Sequence, residues 1–291
     1  MTDRTSQMLF SKPAPAWKQI AKPREFRISD ERWSLLCHNA FYNWHTLIVG
    51  PTGAGKTRIV EYVATAVGKD FVPFNCGEFS DMIGALKGTT HLKRRGAAME
   101  TVFVRSPLVE ALTSPQKLIL LDEVTRSPQE VTNQLFSILD HQKRIEIADE
   151  DPPVSLNLGT ETVCFATANI GSEYSGTTVI DAAFRDRFML VRMEYLKPEI
   201  EAELISSQVG LSEKEANQLS RFAHEARLLF ERGELPSAWS TRQSLRAAEL
   251  VKHGFPIEQA ILLISEGLYY TGEEGELNEY MVKITQIIQK L

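Results

Sequence analysis

Through the first 195 or so residues, short solid apolar runs alternate with longer stretches of helical spacing. The runs are Thr46–Val49, Phe71–Phe74, Leu118–Leu121, Thr162–Thr167 and Phe188–Met193. They are too short for helices and too continuous for half-exposed strands, so they predict five strands buried on both faces. After the first run, a helix is predicted from Lys56 to about Val67. Strands separated by helices predict an α/β fold with a parallel sheet covered on both sides. Such sheets bind ligands beyond the carboxyl ends of their strands. Gly50, Asp122, Glu123 and Asn169 all fall just past the ends of these runs or close to them.

From Lys197 onward the pattern becomes helical throughout. Pro198–Gln208, Ser212–Arg232, Thr241–Lys252, Pro256–Tyr269 and Glu276–Leu291 all read as helices, with no further strand pattern. A smaller C-terminal helical domain is therefore expected over 196–291, after an α/β core over 29–195. Residues 1–28 contain Pro13, Pro15 and Pro23 with little periodicity and read as an extended arm or linker. Trp17 and Phe26 could anchor that arm on this subunit or on another. Ser29 is placed to cap a helix with Trp33, Leu36 and Cys37 on its inner side. The chain shows no internal repeat and no low-complexity segment.

Composition narrows the class. A chain of 291 residues, 43% hydrophobic and 24% charged, can bury a sizeable core as an ordinary globular protein. No apolar stretch is long enough to span a membrane, and no signal region opens the sequence, so no membrane insertion and a cytoplasmic setting are expected. The three cysteines, Cys37, Cys76 and Cys164, lack metal-site spacing and fit buried thiols in a reducing compartment. A net charge of −6 gives no support for a general affinity for nucleic acid.

Gly50-Pro51-Thr52-Gly53-Ala54-Gly55-Lys56-Thr57 satisfies the full phosphate-loop pattern, between a predicted strand and a predicted helix. Glycines let successive N–H groups turn inward around a polyphosphate, and the helix N-terminus adds partial positive charge. Lys56 would supply a full charge at the β- and γ-phosphates, and the Thr57 hydroxyl can coordinate Mg²⁺. ATP and Mg²⁺ are the expected ligands. The strand at 118–121 ends in Asp122-Glu123, where Asp122 would hold Mg²⁺ and Glu123 would polarise the attacking water. Asn169 could orient that water or touch the γ-phosphate, or could simply serve as a strand-end turn residue.

Arg185 and Arg187 stand just before the fifth strand. Either guanidinium would suit the charge that spreads over a transferring phosphoryl group. Their other use would be ion pairing with Asp181 and Asp186. Arg242 follows the helix-capping pair Ser240-Thr241 and opposes the helix dipole, a placement that invites an anionic ligand. The alternative is an exposed arginine with no ligand.

With these elements in place the chain resembles an AAA+ ATPase, closest to the MoxR-type branch that includes CbbQ/NorQ-like activases. The resemblance runs from about Asn39 to Leu250. It is carried by the phosphate loop, Asp81-Met-Ile-Gly84, Arg105-Ser-Pro-Leu108, Asp122-Glu123-Val-Thr-Arg126, Gln134–Asp140, Ala166–Asn169, Arg185–Phe188 and Ser240–Arg242. Thr125 and Ile170-Gly171 depart from that branch. The resemblance implies an AAA+ core with a helical lid domain and a homo-oligomeric, six-membered ring. Arg187 would then face the neighbour's nucleotide, and Arg242 would act as the lid arginine. It also implies hairpin inserts near 85–104, with a basic tip at Lys93–Gly96, and near 143–165, with an acidic loop Asp149–Asp151. These would contact substrate or be plain surface hairpins. The function implied is ATP-driven remodelling or activation of a client protein, and the resemblance also implies a von Willebrand factor A domain partner. The rival is a nucleic-acid motor or phage-type DNA-processing factor, which the basic tip permits. A non-hydrolysing nucleotide-gated scaffold is disfavoured by the intact Asp122, Glu123 and Arg187.

Overall fold

A computed structural model of the chain describes residues 17, 20–23, 26–78, 81–95, 98–127, 129–169, 182–269 and 279–291. Its centre is a five-stranded sheet: β1 (Thr46–Gly50), β2 (Asp70–Asn75), β5 (Lys117–Asp122), β8 (Val163–Asn169) and β9 (Met189–Arg192). The order across the sheet is β2-β5-β8-β1-β9, and every neighbouring pair is parallel. All five predicted strands are present, with ends within two residues of the apolar runs.

Side chains alternate across a strand, so each of the three central strands feeds two cores, whereas the edge strands β2 and β9, expected to be buried on both faces, are only partly buried. Leu47, Val49, Ile119, Leu121, Cys164 and Ala166 face one way, towards α4 (Pro107–Thr113) and α5 (Gln129–Leu139). Ile48, Leu118, Leu120, Val163 and Phe165 face the other, against α1 (Asp30–Phe41) and α2 (Lys56–Val67). Helix α1 starts as expected, with the Ser29 hydroxyl accepting from the Arg32 amide at 3.3 Å and Trp33, Leu36 and Cys37 buried. Trp17 meets the His38 ring edge-on, and Phe26 does the same with Tyr62, so both aromatics rest on this chain's own core. Most of the arm 1–28 lies outside the described residues, as do Gly96, Ile170-Gly171 and Asp181.

Both predicted hairpins are present. In the first, β3 (Gly88–Arg95) pairs antiparallel with β4 (Ala98–Arg105), and α3 (Met82–Lys87) and α4 flank it. The ladder runs on through Arg94↔Met99 and Arg95↔Ala98, so the basic run Lys93–Arg95 lies on the strand itself. The second is β6 (Arg144–Ile147) with β7 (Val154–Asn157). The two are joined by a pairing the sequence did not reveal. Arg105 donates through Nε and Nη2 to the two carboxylate oxygens of Glu150, at 2.9 and 2.8 Å. The acidic loop is thus tied to the base of the basic hairpin.

The remaining helices form a smaller C-terminal region: α7 (Pro198–Val209), α8 (Glu213–Glu231), α9 (Thr241–Lys252), α10 (Ile257–Tyr269) and α11 (Glu279–Ile288). They share one core around Ile205, Leu219, Phe222, Trp239, Ala247 and Ile261. A short helix, α6 (Ala182–Asp186), precedes β9. Among the described residues, no helix is long and apolar enough to cross a membrane.

Candidate active site

Strand register brings the chemistry together. Gly50 pairs with Asn169 across β1 and β8. Leu121 pairs with Ala166, which sets Asp122 beside Thr167. Thr167 donates its hydroxyl to Asp122 Oδ1, and the same hydroxyl oxygen accepts from the Glu123 amide at 2.9 Å. The other Asp122 oxygen, Oδ2, accepts from Thr57 Oγ1 at 2.7 Å. One carboxylate is therefore held between the strand ends and the first turn of α2.

The loop 50–57 has a shape that only glycine permits. A Cβ at Gly50 would stand 2.4 Å from the carbonyl oxygen of Met193. Gly55 takes φ 84°, and a Cβ there would strike the Phe26 ring at 2.9 Å. Lys56 opens α2 and points back over its own loop. Its ammonium donates to Gly50 O at 2.9 Å, Pro51 O at 2.8 Å and Asn169 Oδ1 at 2.7 Å. All three donors are used, and the Asn169 oxygen must face them because an ammonium cannot accept. Lys56 is 7% exposed. Burial pulls its pKa from 10.5 down to about 8 against the opposing carboxylates of Asp122 and Glu123, and Arg242 adds to the lowering.

Glu123 sits at φ 55°, a left-handed position unusual for glutamate, which turns its side chain away from the strand axis. Its carboxylate pairs with Arg126 Nε at 3.0 Å. Loop, strand ends and helical region enclose a cleft of ≈ 390 Å³. Thr52 to Thr57, Asp122, Glu123, Asn169 and Arg242 all line it. Arg242 enters from the first turn of α9, which Ser240 caps by accepting from the Gln243 amide at 3.4 Å while Gln243 Oε1 accepts from the Ser240 amide. Gly50 and Pro51 do not line the cleft themselves; their carbonyls hold Lys56, which does.

Arg185 and Arg187 do not enter this cleft. Arg187 lies over the Phe136 ring at 4.3 Å, and its Nη1 donates to Ala183 O at 2.5 Å. Arg185 is exposed on α6. Other contributors were not singled out from the sequence. Phe26, Arg27, Leu196, Leu204 and Gln208 also line the cleft. Thr167 had a readable signal, a polar residue inside an apolar strand. The rest carried none.

Thr57 and Asp122 offer hard oxygens side by side, the kind Mg²⁺ accepts. Among the described residues no group of three or more His, Cys, Asp or Glu could hold a metal alone.

A parallel sheet with a phosphate loop after β1 and an acidic pair after β5 defines a P-loop nucleotide-binding core. The AAA domain family of the dynein-related subfamily matches residues 45–188, and the CbbQ/NirQ/NorQ C-terminal family matches residues 201–265. The chain belongs to the AAA+ ATPases, with a CbbQ/NorQ-type C-terminal region consistent with the MoxR-type branch. A protein of Thauera aromatica named as a candidate chaperone, BssE, is 28% identical over 218 residues, covering 75% of this chain and 72% of that one. An uncharacterized protein of Staphylococcus saprophyticus is 24% identical over 220 residues, covering 75% and 82%. Among solved structures, a RuvB mutant of Thermotoga maritima aligns at 15% identity and a TM-score of 0.47, over 88% of this chain and 81% of that chain. This domain architecture is that of a nucleoside triphosphatase of the general chaperone or activase kind.

Proposed function

We propose that the chain is an ATP hydrolase that assembles into a ring and uses turnover to remodel or activate a client protein. One observation carries the catalytic part: a buried lysine and a buried asparagine meet a threonine–aspartate pair at the carboxyl ends of three adjacent strands. Lys56 would exchange its loop carbonyls for β- and γ-phosphate oxygens. Thr57 and Asp122 would hold Mg²⁺, which neutralises phosphate charge when bound. Glu123 would take the proton of the attacking water, with Asn169 orienting it and Arg242 meeting the phosphates from α9. Phe26, Leu196, Leu204 and Gln208 would receive the base and ribose. Arg187, with Arg185 beside it, would act on the nucleotide of a neighbouring copy.

The client part is supported by the C-terminal family match and by the name of the Thauera relative. A von Willebrand factor A domain protein is the partner we expect. The test is hydrolysis and nucleotide binding by two variants. Lys56→Ala should lose binding. Glu123→Gln should bind ATP within about threefold of wild type while turnover falls about 10²–10⁴-fold. Normal hydrolysis by Glu123→Gln removes the water-activation role, and unchanged binding by Lys56→Ala removes the site.

A second reading, a nucleic-acid motor, rests on the exposed Lys93 and Arg94 of β3. It requires DNA or RNA binding that weakens steeply with added salt.

A further inference from the structure

Tyr195 lies in the linker between β9 and α7, where the sheet domain gives way to the helices. It touches both. Its hydroxyl donates to Thr52 O, on the phosphate loop, at 3.0 Å. Its ring lies under the Arg227 guanidinium at 4.3 Å. Arg227 belongs to α8 and is buried, and it grips Glu201 of α7 with Nη1 and Nη2, at 2.6 and 2.8 Å. Its Nε donates to Trp239 O at 2.7 Å, and Nη2 reaches Thr241 Oγ1 at 3.5 Å. Trp239 immediately precedes the cap of α9, and Thr241 immediately precedes Arg242. An unbroken set of contacts thus runs from the back of the phosphate loop, through one tyrosine and one buried arginine, to the helix turn that carries Arg242 into the cleft.

We propose that Tyr195 and the Arg227–Glu201 pair are positioning residues that transmit nucleotide binding from the phosphate loop to α9. The proposal rests on the reading of the cleft as an ATP site. The direction of the hydroxyl supports it. A loop that closes on phosphates turns its N–H groups inward, so the Thr52 carbonyl is free to face out and be held from behind. Arg227 has four donor contacts on three different elements: Glu201 on α7, Trp239 before α9, and Thr241 in α9. A planar fork fixed that way cannot shift without carrying α9 along. A movement of Thr52 would therefore reach Arg242 as a change in the angle of α9, not as a local adjustment.

The test uses the full chain with two reporter dyes on introduced cysteines, Glu61→Cys on α2 and Glu225→Cys on α8, both exposed positions, diluted into an excess of the same chain unlabelled so that transfer between copies does not contribute. The three native thiols are buried, so labelling falls on the new ones. Nucleotide affinity and the dye-to-dye transfer change on adding ATP are measured for this chain and for the same chain with Tyr195→Phe. The phenylalanine keeps the ring under Arg227 and removes only the hydroxyl. The expected result is affinity within about threefold and a transfer change reduced by half or more, with an unchanged melting temperature. An equal change in both chains overturns the relay, as does a parent chain that binds ATP with no change at all. A parent chain that binds no ATP overturns the reading of the site, and the relay falls with it.

Discussion

Lys56 shows a conflict between stability and use. Its fall from 10.5 to about 8 corresponds to on the order of 3 kcal/mol of disfavoured charge at neutral pH. Between about pH 8 and 10.5 the unfolded chain holds a proton that the folded chain has released. This contribution therefore makes the fold more stable as pH rises through that window. A side chain held at such a cost suits a ligand-binding role. Two outcomes follow. Lys56→Met should lose ATP binding at pH 7 without lowering the melting temperature, since the disfavoured charge goes with the side chain. ATP binding should also take up protons near pH 8, because phosphate oxygens restore the ammonium, so affinity should weaken as pH rises from 7 to 9. Calorimetric titration in two buffers of different ionisation heat reads the uptake directly. Binding without any uptake would mean that the ammonium does not meet the phosphates.

Elements differ in how far the sequence reveals them. The central strands β1, β5 and β8 are buried on both faces and so are solid apolar runs, and the edge strands β2 and β9, though only partly buried, keep the same apolar run, which is why all five and the parallel sheet were readable. Helix starts carried their own caps, as Ser29 does for α1 and Ser240 for α9. The cleft residues that follow a strand or open a helix were readable for the same reason: their position along the chain fixes their position in the sheet. Pairings between distant residues left no such trace. Glu201 and Arg227 are both ordinary charges in amphipathic helices, and only the packing of α7 against α8 shows them to be buried together. Arg105 and Glu150 are equally silent. The buried pair yields a prediction for its helices. Arg227→Met or Glu201→Leu alone should cost about 3–5 kcal/mol by stranding a buried charge, and the double variant should recover most of that loss. Chemical denaturation followed by circular dichroism measures both. Additive losses in the double variant would show that the two residues are not one unit.

On the scale of the molecule, the cleft is furnished from both parts of the chain, and two predicted contributors, Arg185 and Arg187, are missing from it. Arg187 stacks on Phe136 and reaches Ala183, away from the phosphate loop of its own chain. No property of a single sequence shows where a second copy will dock, so this part of the site was legible only through family resemblance. If Arg187 completes the site, it does so for a neighbour, and assembly and catalysis become one question. Light scattering after size exclusion on Glu123→Gln should show a shift from about one subunit to about six when ATP is added. The functional counterpart is a mixing assay. Arg187→Ala and Lys56→Ala chains should each be inactive alone. A mixed ring, however, contains interfaces that join an intact Lys56 cleft to an intact Arg187, and these should restore part of the turnover. An arginine finger is worth roughly 10³–10⁵ in rate, so even a small fraction of such interfaces stands out above either parent. Mixed rings that assemble with ATP yet show no recovery at any ratio would place Arg187 outside catalysis. Its stacking on Phe136 would then be a structural contact that fixes α6 against α5.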